Sequence, residues 1–268
     1  MNTLAITHRT TYRYDQPVTF AMQQLRLTPK SHNGQRILDW DITVSGGELQ
    51  LEFEDEHRNR VQLCNVDTYA TEIVIESRGT VQLEETNGIL GTHGGYVPLW
   101  LFKRDTGITR PGKTMRALVK EIGSEGLPLD RLHALSEAIR DSVSYETGQT
   151  GADWTGEEAA VAGRGVCQDH AHIFVGCARM MDIPARYVSG YLMMDDRVEQ
   201  DATHAWAEAY VEGLGWVGFD ISNGISPDTR YVRVATGLDY NEAAPIRGTR
   251  FGAGEEELDV TVSVQQQQ

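Results

Sequence analysis

Apolar positions in the first hundred residues recur with period two. Leu4, Ile6, His8, Thr10, Tyr12 and Tyr14 share one face of a first strand, Leu38, Trp40, Ile42 and Val44 one face of another, and Leu49, Leu51 and Phe53 one face of a third. Shorter strands are predicted at 61–63, 73–75 and 81–83, at sandwich spacing. Near Arg110-Pro111-Gly112-Lys113 the period lengthens to that of a helix, which places a boundary after residue 108. Met115, Leu118, Val119 and Ile122 fit one helix. Leu132, Leu135, Ile139 and Val143 fit a second, opened by Pro128, whose fixed φ suits the first helical position. Glu157 to Val161 read as a short helix ended by Gly163.

The next helix starts at Cys167. Cys167, Ala171, Phe174 and Ala178 fall at i, i+4, i+7 and i+11, a single inward stripe, and Ile183-Pro184 stops the run. A strand at 185–192, an exposed loop at 193–197 and a hairpin of 203–211 with 216–220 follow. On the hairpin's first strand His204, Trp206, Glu208 and Tyr210 share a face; three alanines and Val211 share the other, which is small enough to lie close against a helix. Residues 257–264 alternate as a last strand, and the four glutamines after them read as disordered. Three parts result: an all-β domain over 1–108, a mixed core over 109–250, and a strand with its tail over 251–268.

Composition narrows the function. The 268 residues are 40% hydrophobic and 24% charged, as in soluble globular proteins, and no stretch has the eighteen or so consecutive apolar residues of a membrane span. The first ten residues already alternate like a strand and show no leader pattern, so a cytoplasmic protein is expected. A net charge of -15 disfavours nucleic acid and anionic membranes as partners. The cysteines, Cys64, Cys167 and Cys177, are odd in number and widely spread, which fits a reducing compartment. Cys167 and Cys177 would lie about 15 Å apart along one helix, beyond disulfide reach.

Chemistry concentrates around Cys167. Gly163 and Gly165 let the chain bend just before it, and the unpaired N–H groups of a helix's first turn favour a thiolate. A helix-N-terminal cysteine, a strand histidine and a carboxylate on the next strand are the parts of an activated thiol nucleophile. Cys167 would attack a carbonyl, His204 would pair with the thiolate and protonate the leaving amine, and Asp220 would orient the imidazole. The Cys167 backbone N–H offers one oxyanion contact, with Trp154 or Tyr191 as a second donor. Trp154, His170, Tyr191 and Trp206 are the candidate cleft residues. A symmetric hairpin leaves Asp220 short of His204, so a bulge or strong twist is required. Glu208, on the His204 face, is the competing carboxylate.

The run GVCQDHAHIFVGCARMMDIPARYVSGYL at 165–192, with HAWAEAYVEGLGWVGFD at 204–220, resembles the transglutaminase-like superfamily of papain-fold cysteine enzymes. The first hundred residues resemble the bacterial transglutaminase-like N-terminal module, and 231–248 the C-terminal part of the same bacterial group. The resemblance implies an α+β fold: a papain-like transglutaminase core, with a helix packed on an antiparallel sheet, behind an N-terminal β-sandwich. It puts the family's triad on Cys167, His204 and Asp220. It also implies thioester chemistry on a peptide, protein or small amide substrate without a cofactor, with hydrolysis favoured over transfer to an amine. Three positions depart from the family pattern. His170 stands where an aromatic residue is usual, Ile221 replaces a proline, and Gly237-Leu238-Asp239-Tyr240 replaces Gly-Arg-Asp-Tyr.

Two rivals remain. Cys167, Asp169, His170 and His172 have metal-ligand chemistry, but His172 points about 140° away from Cys167 on a helix, so the four do not converge. The second rival is an inactive binding scaffold, because sites rather than folds carry function. Arg164 and Arg186 fit either an acidic substrate or ordinary ion pairs. No phosphate loop, dinucleotide fingerprint or paired-cysteine zinc pattern is present.

Overall fold

The computed structural model describes residues 1–151, 153–194, 197–251 and 254–267. The chain opens with β1 (Asn2–Tyr14), β2 (Phe20–Thr28), β3 (Gln35–Ser45), β4 (Gly47–Glu54), β5 (Arg60–Val66), β6 (Glu72–Leu83) and β7 (Ile89–Gly91). Helices α1 (Lys113–Ile122) and α2 (Pro128–Ser142), β8 (Ser144–Tyr145), α3 (Gly156–Ala162), β9 (Arg164–Gly165) and α4 (Cys167–Met180) follow. The remainder is β10 (Ala185–Leu192), β11 (Glu199–Gln200), β12 (His204–Val211), β13 (Gly215–Phe219), β14 (Tyr231–Gly237), α5 (Tyr240–Ala243), β15 (Ile246–Phe251) and β16 (Glu256–Gln266). No helix among the described residues is long and apolar enough to cross a membrane.

Strand β1 buries every even position from Leu4 to Tyr14, as its period requires. That single face has two partners. Tyr12 and Tyr14 pack with Leu25 and Cys64 of the sheet ordered β15-β2-β5-β4, whereas Leu4 and Ile6 pack with Tyr191, Val232 and Val234 of a further five-stranded sheet. One sheet, ordered β11-β16-β1-β6-β3, therefore closes two cores at once.

That further sheet runs β14-β10-β12-β13-β7 and is antiparallel throughout. Ala205, Ala207 and Ala209 of β12 are buried against α4, whose Phe174 and Ala178 share a core with Leu135 and Ile139 of α2. Small side chains on the strand let the helix axis approach closely, which is how Cys167 comes to lie beside the start of β12. Strand β14 is an edge, yet its backbone is not left open. The Gln35 amide bonds both N–H and C=O of Arg233, and the Asn59 amide does the same for Thr236.

Several expectations are corrected. The short strands at 73–75 and 81–83 are one strand, β6. Leu38 is 48% exposed because the β3–β6 ladder slips between Ile37 and Asp39, and Leu51 is 50% exposed after a similar slip between Leu49 and Leu51. Phe53 is exposed as well. Met193 and Met194 are half-buried against neighbouring cores rather than in an exposed loop; Asp195 and Asp196 of that loop lie outside the described residues. The glutamine tail is ordered as far as it is described. Gln265 and Gln266 pair with Ala5 and Leu4, and the Gln267 N–H donates to Thr3; Gln268 lies outside the described residues.

Candidate active site

The turn into α4 is built around two glycines and one carboxylate. Gly163 has φ 66°, a left-handed value that lets α3 end sharply. At Gly165 a Cβ would sit 2.7 Å from that of Asp169, so only glycine lets this carboxylate reach back. Asp169 Oδ2 accepts the Val166 N–H at 2.8 Å and the Thr150 hydroxyl at 2.8 Å, capping the helix at its first turn. Burial raises the Asp169 carboxyl, with those two bonds opposing. Cys167 is thereby held as the first helical residue, half-buried, while Cys64 and Cys177 are sealed. Burial pushes the Cys64 thiol up to about 11 and that of Cys177 to about 12.

His204 stands at the start of β12, 7% exposed, and its Nε2 is 2.6 Å from Asp220 Oδ2. Of the bulge or strong twist expected there, no bulge interrupts the β12–β13 ladder. Ala207 pairs with Phe219 in an unbroken ladder, so one step further puts Asp220 opposite Trp206, two residues short of His204. A diagonal same-face neighbour is within side-chain reach, and the His204–Asp220 bond spans that diagonal. Asp220 is fully buried. Its Oδ2 also accepts Asn223 Nδ2 and the Tyr231 hydroxyl, both at 2.7 Å, and its Oδ1 accepts the Asn223 N–H at 3.2 Å. Burial alone would raise the Asp220 carboxyl; the bonds from His204, Asn223 and Tyr231 outweigh it and hold the group low.

Burial works against a proton on His204. The charge and hydrogen bond of Cys167 and the hydrogen bond and charge of Asp220 overcome it and push the imidazole up to about 10. The ring therefore has a sulfur and a carboxylate for partners. Glu208 does not compete for it, because its oxygens are held by Arg186 and Arg233.

The expected cleft residues fare differently. Trp206 stacks on the His204 ring at 6.2 Å and is 2% exposed, so it forms the wall behind the imidazole. Tyr191 is 1% exposed, turned to the N-terminal sheet with its hydroxyl 3.0 Å from His8 Nδ1, and so is no oxyanion donor. His170 is buried too. Its Nε2 donates to the Val143 carbonyl at 3.0 Å, which leaves Nδ1 to accept from the Ser222 hydroxyl at 2.7 Å, and burial keeps the ring neutral. Trp154 is half-buried against the helical core. A metal has little to hold: Asp169 caps α4, both His170 nitrogens are bonded, and His172 Nε2 accepts the Tyr240 N–H. Among the described residues no group of three potential ligands converges.

Three residues of the site were not foreseen. Asn223 and Tyr231 fix Asp220, and Tyr145, 55% exposed, lies beside the thiol. Burial, then Cys167 and Asp220, push its phenol up to about 12. Pairing of Tyr145 with Gly165 in the β8–β9 bridge puts it there.

The sequence pattern of the transglutaminase-like superfamily matches residues 116–221, which take in Cys167, His204 and Asp220, and that of the bacterial transglutaminase-like N-terminal region matches residues 4–82. The chain belongs to the transglutaminase-like superfamily. Its relatives within the superfamily include an uncharacterized protein of Mycobacterium leprae, 27% identical over 97% of this chain and 98% of that protein. Uncharacterized proteins of Mycobacterium bovis and Mycobacterium tuberculosis are 30% identical over 97% of this chain and 91% of theirs. In three dimensions this transglutaminase-like chain superposes on a "Putative Cysteine Protease" from Cytophaga hutchinsonii with a TM-score of 0.79, covering 99% of this chain and 90% of the other at 23% identity. That likeness extends the shared fold over both the N-terminal strands and the papain-like core.

Proposed function

We propose that this transglutaminase-like protein is a thiol-dependent acyl-transfer enzyme that hydrolyses an amide or peptide bond through Cys167, His204 and Asp220. The observation that carries the reading is the His204 ring, partnered by Cys167 and bonded to an Asp220 carboxylate that three further hydrogen bonds hold in place.

His204 takes the proton of the Cys167 thiol as the pair becomes reactive. The sulfur attacks the carbonyl carbon, and the carbonyl oxygen takes the charge, facing the first N–H groups of α4. His204 gives its proton to the leaving nitrogen, the C–N bond breaks, and a thioester remains on Cys167. Neutral His204 then draws a proton from water, the hydroxide adds to the thioester carbonyl, and the acid leaves as the C–S bond breaks. Asp220 keeps the ring oriented through both transfers. Tyr145, whose phenol stays protonated, supplies the second oxyanion contact expected from Trp154 or Tyr191.

Alkylation with iodoacetamide at neutral pH, read by mass spectrometry, tests the nucleophile. Cys167 is expected to react at least tenfold faster than Cys64 or Cys177, and equal sluggishness of all three would support the scaffold instead. A peptide library with and without a primary amine then distinguishes cleavage from amine addition. Cys167→Ala should abolish either product while the protein stays folded; retained turnover in that variant sinks the assignment.

A further inference from the structure

Arg186, Glu208 and Arg233 occupy the face of the β14-β10-β12-β13-β7 sheet turned away from α4, because Arg186 pairs directly with Glu208 across β10–β12 and the alternate residue, Ala207, faces the helix. The loop after β2 and the strand β4 stand over this face, and between them lies a cavity of about 1010 Å³. Cys167, His204 and Asp220 do not line it.

The floor of the cavity is unbalanced in charge. Lys30, Arg186 and Arg233 line it, and among the described residues the only carboxylate bonded to the two guanidinium groups is Glu208, which both share. The other charges at the opening largely cancel, Arg60 with Glu52 at 2.6 Å and Arg58 with Glu54 at 3.8 Å, with Asp39 and the Glu242-bonded His57 beside them. Arg186 bonds Glu208 through Nε alone and Arg233 through Nε and Nη2, so Arg186 Nη1 and Nη2 and Arg233 Nη1 have no partner among the described residues. The two side chains are 11% and 10% exposed, nearly enclosed but still reached from the cavity. Lys30 adds an ammonium whose only bond among the described residues is to the His57 carbonyl at 3.2 Å.

A fork of free guanidinium N–H groups beside an ammonium, walled by Trp40, Phe53 and Trp216, is complementary to an acid with two or more oxygens. We propose that this cavity is a binding site for a small oxyanion ligand, carboxylate or phosphate, separate from the thiol site.

Like charge crowds Lys30. Burial, then Arg233 and Arg186, with Arg58 adding and Asp55 opposing, push its ammonium down to about 7. An oxyanion would reverse that repulsion. Arg186 is meanwhile held flat over the Trp216 ring at 3.8 Å, which fixes the plane of its fork. The wall also touches the thiol site from behind, since Trp206 and Tyr231, which contact His204 and Asp220, line a smaller pocket with Glu208 and Arg233.

Titration calorimetry with inorganic phosphate, pyrophosphate and citrate, against chloride at matched ionic strength, tests the site. Wild type should bind at least one of the three saturably at one per chain, and Cys167→Ala should bind it equally well. Lys30→Met should weaken it about tenfold. Arg233→Lys, which keeps the charge and loses the fork, is a second probe read the same way. Preference for phosphate or for citrate identifies the acid class. Absence of saturable binding by all three, or binding undiminished in Lys30→Met, overturns the proposal.

Discussion

Strand β12 carries two buried electrostatic arrangements four residues apart, one at His204 and one at Glu208. Both centre on a carboxylate with no solvent exposure, Asp220 and Glu208 respectively, and both carboxylates are held low against the penalty of burial. Their partners differ. Glu208 is gripped by two guanidinium groups, Arg233 and Arg186, and burial pushes the latter down only to about 10. Asp220 is gripped by an imidazole that also faces a thiol, so its partner can pass a proton on. A buried charge is thus a poor guide to chemistry by itself; what counts is whether its partner can change protonation state with a reacting atom in reach.

The largest expected break in this comparison is at the His204 end. Asp220→Asn should lower turnover, and with it the rate of Cys167 alkylation at neutral pH, by about 10²–10⁴-fold while the protein stays folded. An unchanged rate would mean that the carboxylate does not orient the ring.

Glu208→Gln should do the reverse. Two enclosed guanidinium groups lose their counter-charge, so urea unfolding should show a loss of about 3–5 kcal/mol, while the folded fraction alkylates at Cys167 as before. Lost alkylation in folded Glu208→Gln would tie the two ends together.

The pH dependence of the thermal midpoint should separate the two ends further. His204 is raised from 6.5 to about 10, so its contribution is complete below 6.5 and is lost as pH rises towards 10. Glu208 is lowered from 4.5 to about 2, so its contribution is present above 4.5 and is lost as pH falls towards 2. Cys167→Ala should reduce only the alkaline decline and Glu208→Gln only the acid one. The smallest effect belongs to Tyr231→Phe, which leaves Asp220 one hydrogen bond fewer and should slow turnover about three- to tenfold with KM unchanged.

Much of this was legible in the order of residues, for identifiable reasons. Strand β1 shows its period because one face is wholly buried, and the stripe from Cys167 to Ala178 shows because α4 is packed along its length. Strand β2 was hidden because Gln23, at an inward position, interrupts the apolar alternation of Ala21, Leu25 and Leu27. Strand β14 was hidden because it is buried on both faces, so nothing alternates. Cys167, His204 and Asp220, the proposed triad, are singled out by their flanking residues, but their spacing is not: the diagonal bond from His204 to Asp220 follows from a register that residue types do not encode. Tyr191 illustrates a further limit. Its pattern predicts burial correctly but cannot say against which sheet, and the long reach of β1 takes it away from the thiol. Asn223 and Tyr231 come to Asp220 from a turn and from β14, neither of which carries a periodic signal.

The place of β16 in the first sheet has a consequence for how the molecule is made. It follows every other described strand in the sequence and pairs along nearly the whole of β1, between that strand and β11. Until it is made, β1 is a bare edge, and Val262 and Val264 are missing from the core that β1 shares with Tyr191, Val232 and Val234. A chain truncated before residue 256 should therefore bind holdase chaperones and be cut readily by proteases, although it contains every residue of the thiol site.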